Sequence, residues 1–104
     1  MKITRLSEAP HVPIELDAYI MHSSDNLEVI HLCLEPGERV APHKNPFDVV
    51  ACLIQGEVKL IASDAEMTLK LFDTVEIESN SERGFFNIGE QEARLLIIKK
   101  LGSV

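Results

Sequence analysis

Clustered positive charge is missing from this 104-residue sequence. Ten lysines and arginines face seventeen acidic residues, for a net charge of −7, and the only adjacent basic pair is Lys99-Lys100. Phosphate recognition needs a grouped positive face, so nucleic acid is excluded as a partner. Acidity of this kind serves solubility. Long apolar runs are missing too: the longest, Val49 to Ile54, has six residues, whereas a helical bilayer span needs about 20. No membrane partner is expected. The opening residues, Met1-Lys2-Ile3-Thr4-Arg5-Leu6, carry neither the apolar stretch nor the small-residue cleavage site of an export signal, so a cytoplasmic protein is expected. Only two cysteines occur, Cys33 and Cys52, too far apart for a CxxC redox motif or a zinc knuckle, and they are expected as packed, reduced thiols. No solenoid repeat and no low-complexity linker interrupts the sequence. One domain is expected, with residues 1–26 as an N-terminal arm and first strand and 27–104 as the body.

What is present is an ordinary globular composition, 45% apolar and 26% charged. A chain of this length buries roughly two-thirds of its unfolded surface, enough for a core without staples. Helical periodicity fits poorly. Short alternating or continuous apolar stretches recur between turn signals, the pattern of an all-β sandwich or barrel. Glu66 to Leu71 alternates, placing Met67, Leu69 and Leu71 on one face; Thr74 to Glu78 does the same with Val75 and Ile77. Val49 to Ile54 and Leu95 to Ile98 are short, continuous and rich in branched residues, as expected of central strands covered on both faces. Leu27 to Leu34 and Ala18 to Ser23 complete the set, joined around Ser24-Asp25-Asn26. Pro36-Gly37, Asn45-Pro46, Gly56, Ser63-Asp64, Ser79-Asn80-Ser81 and Gly89 supply the turns. Ala9 to Pro13, with two prolines, reads as an extended arm.

From Pro36 onward the order of turns and strands resembles the cupin superfamily. The usual first cupin motif runs Gly, five residues, His-x-His, three or four residues, Glu, six residues, Gly. Here Gly37 is followed after five residues by His43-Lys44-Asn45, then after three by Val49, and after six by Gly56. The second motif aligns on Phe72, Glu78, Asn80, Arg83 and Asn87, with Asp73 beside Phe72. His43-Lys44-Asn45-Pro46-Phe47-Asp48-Val49 is similar to a subgroup of small cupins with His-x-x-Pro-x-Asp-Val. The resemblance implies a double-stranded β-helix, or jelly-roll barrel, commonly a homodimer, with a pocket at one end.

Metal-bearing cupins hold iron, manganese, nickel or zinc on two His, one Glu and one further His. Those positions hold His43, Asn45, Val49 and Arg83. An amide is a weak neutral ligand, valine has no donor, and a guanidinium repels a divalent cation. No cofactor, metal or catalytic residue is therefore expected, unless His22 or His31 turns inward. The pocket is instead read as a site for a small-molecule ligand such as a carboxylate, lined by His43, Asn45 and Arg83, with Phe85 and Asn87 on the same strand face as Arg83. Arg83 and His43 each have a plainer alternative: for Arg83 an ion pair with Glu78 or Glu82 at the rim, and for His43 the part of an ordinary polar residue of the mouth. Asp48 is expected to face away and steady the Asn45-Pro46 turn, while Asp73, Glu76, Glu78 and Glu82 are expected to form solvated surface. Two other function classes compete: a metal-dependent dioxygenase or isomerase using His43 with non-standard ligands, and a scaffold barrel without pocket chemistry; an acid/base pair of the sugar-epimerase type, also found among cupins, would rest on Tyr19, the only tyrosine. The outward stripe Val50, Cys52 and Ile54, and the apolar arm at Val12-Pro13-Ile14, need cover. A homodimer is expected.

Overall fold

The computed structural model describes residues 1–102. After a short 3-10 turn at Leu6–Glu8, nine strands follow: β1 (Asp17–Ser23), β2 (Leu27–Leu34), β3 (Arg39–His43), β4 (Asp48–Gln55), β5 (Val58–Ala62), β6 (Glu66–Leu69), β7 (Thr74–Ile77), β8 (Arg83–Asn87) and β9 (Ala93–Lys100). They form two antiparallel sheets, a five-stranded one in the order β1-β2-β9-β4-β7 and a four-stranded one in the order β3-β8-β5-β6. No helix among the described residues is long and apolar enough to cross a membrane. This is the double-stranded β-helix that the sequence motifs implied.

Alternation along the central strands decides what is buried. Val49, Ala51 and Leu53 of β4 point inward, as do Ala93, Leu95 and Ile97 of β9. Strand register aligns Leu32, Leu95 and Leu53 in one row across three strands, and all three are almost fully buried against Leu60 and Phe85 of the other sheet. Truncating any of these leucines to alanine should cost roughly 2–5 kcal/mol, because the cavity left behind collapses only in part. Cys33 is buried and Cys52 half-buried, and both are free thiols.

Turn chemistry sets the strand ends. Glu35-Pro36-Gly37-Glu38 closes with Glu38 N–H donating to Glu35 O at 2.9 Å, and Gly37 takes the left-handed φ of +85° that the third position of this turn requires. Lys70-Leu71-Phe72-Asp73 closes in the same way, but Phe72 occupies the left-handed position at φ 70°. That turn corrects the expectation for residues 66–71. The strand stops at Leu69, and of the expected inward set only Leu69 is buried; Met67 is 61% and Leu71 50% exposed. β6 is an edge strand of its sheet.

The N-terminal arm is corrected as well. It does not await a partner: Val12 N–H donates to Ala18 O, an isolated bridge joins His11 to Tyr19, and Val12 and Leu16 pack on the core. The arm thus lies along β1 and closes one end of the barrel.

Candidate functional site

Between the two sheets, beneath the arm, lies a cavity of about 310 Å³. Its floor and walls are apolar: Ala18, Ile30, Leu32 and Ile97 from the five-stranded sheet, Val40 and Phe85 from the other. Val12, Ile14 and Leu16 close it from the arm. Polar groups gather at His43, Asn45 and Arg83, and Lys99 lines the wall from the end of β9. No aspartate or glutamate lines it.

β3 and β8 assemble the polar corner. Val40 pairs with Phe85 and His43 with Arg83, so β3 spends one more residue than β8 over this stretch. Such a bulge re-aims side chains at a sheet edge. Gly84 makes the close approach possible, because a Cβ there would lie 2.5 Å from the Val40 carbonyl oxygen and 2.9 Å from Pro42 N. Cross-strand partners share a face, so His43 and Arg83 point the same way.

Arg83 is only 4% exposed, a permanent cation in an apolar barrel. Its Nη1 donates to the His43 carbonyl oxygen at 3.2 Å. The Asn45 carboxamide belongs with its oxygen toward the guanidinium, where it accepts from Nη1 at 3.2 Å and from Nη2, while its nitrogen donates to Lys44 O; the opposite orientation sets donors against donors. Arg83 Nε is buried and has no hydrogen-bond partner. Burial pulls the guanidinium below its ordinary pKa, the direction expected when a charge is desolvated. Among the described residues no carboxylate pairs with it, so the rim ion pair with Glu78 or Glu82 does not form.

His43 is exposed at the mouth, and its Nδ1 lies 3.0 Å from Ala41 O. A carbonyl only accepts, so Nδ1 carries the proton and a neutral ring leaves Nε2 as an acceptor. Lys99 differs from Arg83 in being balanced: its Nζ lies 3.4 Å from Glu28 Oε1 and 5.9 Å from the centre of the Phe47 ring.

Of the five residues that the sequence grouped, His43, Asn45, Arg83 and Phe85 meet at the cavity; Asn87 does not. It shares their strand face, but its Nδ2 donates to Leu34 O at 2.8 Å and to Gln91 O at 2.9 Å, and its Oδ1 accepts from Gly89 N–H. Asn87 is therefore a tie between loops, and no donor remains for a ligand. Asp48 faces away as expected, yet its Oδ1 accepts from Ser79 N–H, just past the end of the neighbouring strand β7, and not from its own turn. Lys99, Gly84 and the arm residues were missed by sequence reasoning. A period-2 count from Ile97 was the available signal for Lys99; the arm stood out as apolar, but nothing marked it as a wall of the cavity.

The residues at the four metal positions do not suit a metal ion. Val49 is buried in the core with no donor atom, and Arg83 brings positive charge where a cation would sit. His31 is no substitute, since it lies on the outer face of β2 with Nε2 3.1 Å from Arg94 Nη1. His22 is exposed at the end of β1 and lies away from the cavity. Tyr19 is turned outward against His11, ring to ring at 5.1 Å. Among the described residues no group of three or more His, Cys, Asp or Glu side chains could hold a metal.

The model of the cupin domain family matches residues 30–99. No curated protein matches the chain by sequence. Among solved structures, an RmlC-like cupin from Shewanella frigidimarina superposes with a TM-score of 0.85 at 10% identity, over 98% of this chain and 92% of that one. The polyketide cyclase RemF from Streptomyces resistomycificus gives 0.85 at 13% identity, covering 98% and 80%. KdgF from a Halomonas species gives 0.82 at 13% identity, covering 96% and 94%. At these identities the likeness is one of fold.

Proposed function

The chain belongs to the cupin superfamily, and from that premise we propose that it is a small-molecule binding protein whose barrel cavity holds a carboxylate without a standard metal site. One observation carries the reading: Arg83 is a buried cation whose partners are all neutral. An uncompensated buried charge is costly, and a carboxylate would supply the missing negative charge and acceptors for the remaining donors. Asn45 orients the guanidinium, His43 offers a polar contact at the mouth, and Phe85 provides an apolar wall. A net charge of −7 gives an anion no long-range attraction, so affinity depends on this local group. Calorimetric titration of small carboxylates into the wild type and Arg83→Met tests it. Binding by the wild type and at least about tenfold loss in the variant are expected; no binding, or equal binding by both, refutes it.

We also propose that the protein works in the cytoplasm as a homodimer. Its accessible surface is 6692 Å², against about 5,800 Å² for an average monomer of 11.6 kDa. The outer face of β2, β9 and β4 presents half-buried Val29, Leu96, Ile98, Val50 and Ile54 side by side, an apolar field suited to a second copy.

A further inference from the structure

We propose that the ligand is a monocarboxylic acid with an apolar body, a compact acid of roughly ten to fifteen non-hydrogen atoms given a cavity of about 310 Å³ and roughly 20–30 Å³ per atom. This rests on the carboxylate reading above and adds to it the class of acid. Charge balance sets the number of carboxylates. The cavity wall carries two permanent cations and no acid, but Lys99 is already matched by Glu28. Of these two cations, Arg83 is the one without a counter-charge among the described residues. One carboxylate balances the site. A second would lie against Ile30, Ile97 or Phe85, which have no donors, and would be desolvated without a partner.

The arm sets the character of the rest of the ligand. Val12, Ile14 and Leu16 present three apolar side chains to the cavity from a segment bent tightly at Pro13, where Ile14 N–H donates to Val12 O at 2.7 Å. Ile14 is 50% exposed although it lines the cavity. Beside a bound apolar chain it would lose that exposure, which favours an apolar ligand body over a polar one. The acid group at Arg83 and the apolar cover of the arm thus act on two parts of one molecule.

The test is a titration series with octanoate, its dicarboxylate analogue suberate, 1-octanol and acetate, run on the wild type, Ile14→Ser and Arg83→Met, with melting curves to confirm folding. Octanoate is expected to bind at least about tenfold more tightly than each of the other three. Ile14→Ser, a change at a half-exposed position, should weaken octanoate several-fold and leave acetate unchanged. If suberate matches octanoate, or octanoate binds no better than acetate, the monocarboxylate class is overturned while the carboxylate reading stands. If 1-octanol binds as well as octanoate and Arg83→Met changes nothing, the carboxylate reading falls and this proposal with it. Binding of none of the four overturns both.

Discussion

At the scale of single residues, Arg83 combines features that pull against each other. A buried guanidinium with neutral partners lowers the stability of the unliganded fold, as groups set aside for binding often do. Arg83→Met keeps an apolar stem of similar length and removes the charge, so the unliganded variant should be at least as stable as the wild type, by on the order of 1 kcal/mol. A loss above about 2 kcal/mol in urea unfolding would mean that Arg83 holds the fold together and is not held in readiness. His31 gives a prediction in pH. Burial first, and the Arg94 guanidinium second, lower its pKa, with Glu92 opposing. The folded state then binds fewer protons than the unfolded one as pH drops below about 6.5, the unfolded value, so stability falls over that window until the folded pKa is passed. His31→Gln should flatten this acid limb in urea midpoints measured from pH 8 to 5.5; an unchanged limb would contradict it. Residue roles were partly legible. His43 and Arg83 could be placed at the cavity because motif spacing fixes strand position, and strand position fixes facing; Asn45, in the loop just past β3, follows from its spacing to His43. Asn87 obeyed the same count, yet its amide was taken by loop carbonyls that no period in the sequence announces.

At the scale of elements, the site depends on how closely β3 approaches β8. Gly84→Ala would push a methyl group into the backbone of Val40 and Pro42, and backbone gives way less readily than a side chain. A loss of about 1–3 kcal/mol is expected, together with weaker ligand binding as the His43 carbonyl leaves Arg83. Unchanged stability and affinity would show that the bulge is incidental. The turn between β6 and β7 offers the reverse change. Phe72 is 72% exposed and left-handed, so Phe72→Gly removes strain without uncovering core. The gain in unfolding free energy should reach about 1 kcal/mol, less the entropy that glycine adds to the unfolded chain; a clear loss would contradict it. The central strands were plain in the sequence because a continuous branched run has few other uses; the inner faces of β4 and β9 are buried, and their outer faces are only half-buried. β6 was overextended at Leu71, since alternation cannot reveal that a strand is an edge. The arm was read as seeking a partner because its apolar residues were visible and their docking on β1 was not.

At the scale of the molecule, the fold was legible from the order of turns and motifs, while the second copy remains an expectation from exposed surface. Sedimentation should give about 23 kDa at micromolar concentration, twice the 11.6 kDa chain, and Val50→Lys, at the centre of the outer face, should return it to a monomer. A wild-type monomer mass would refute the dimer. Cavity and outer face lie on opposite sides of the five-stranded sheet, so that variant should still bind ligand. The central claim is narrower than the assembly: an acid bound in this barrel is ionised against Arg83. It is tested most directly by carbon-13 resonance of carboxyl-labelled octanoate bound to the protein and titrated with acid. A carboxylate beside a buried guanidinium should titrate below its free value. A bound carboxyl that titrates above its free value, as in an apolar pocket without a cation, would contradict the account.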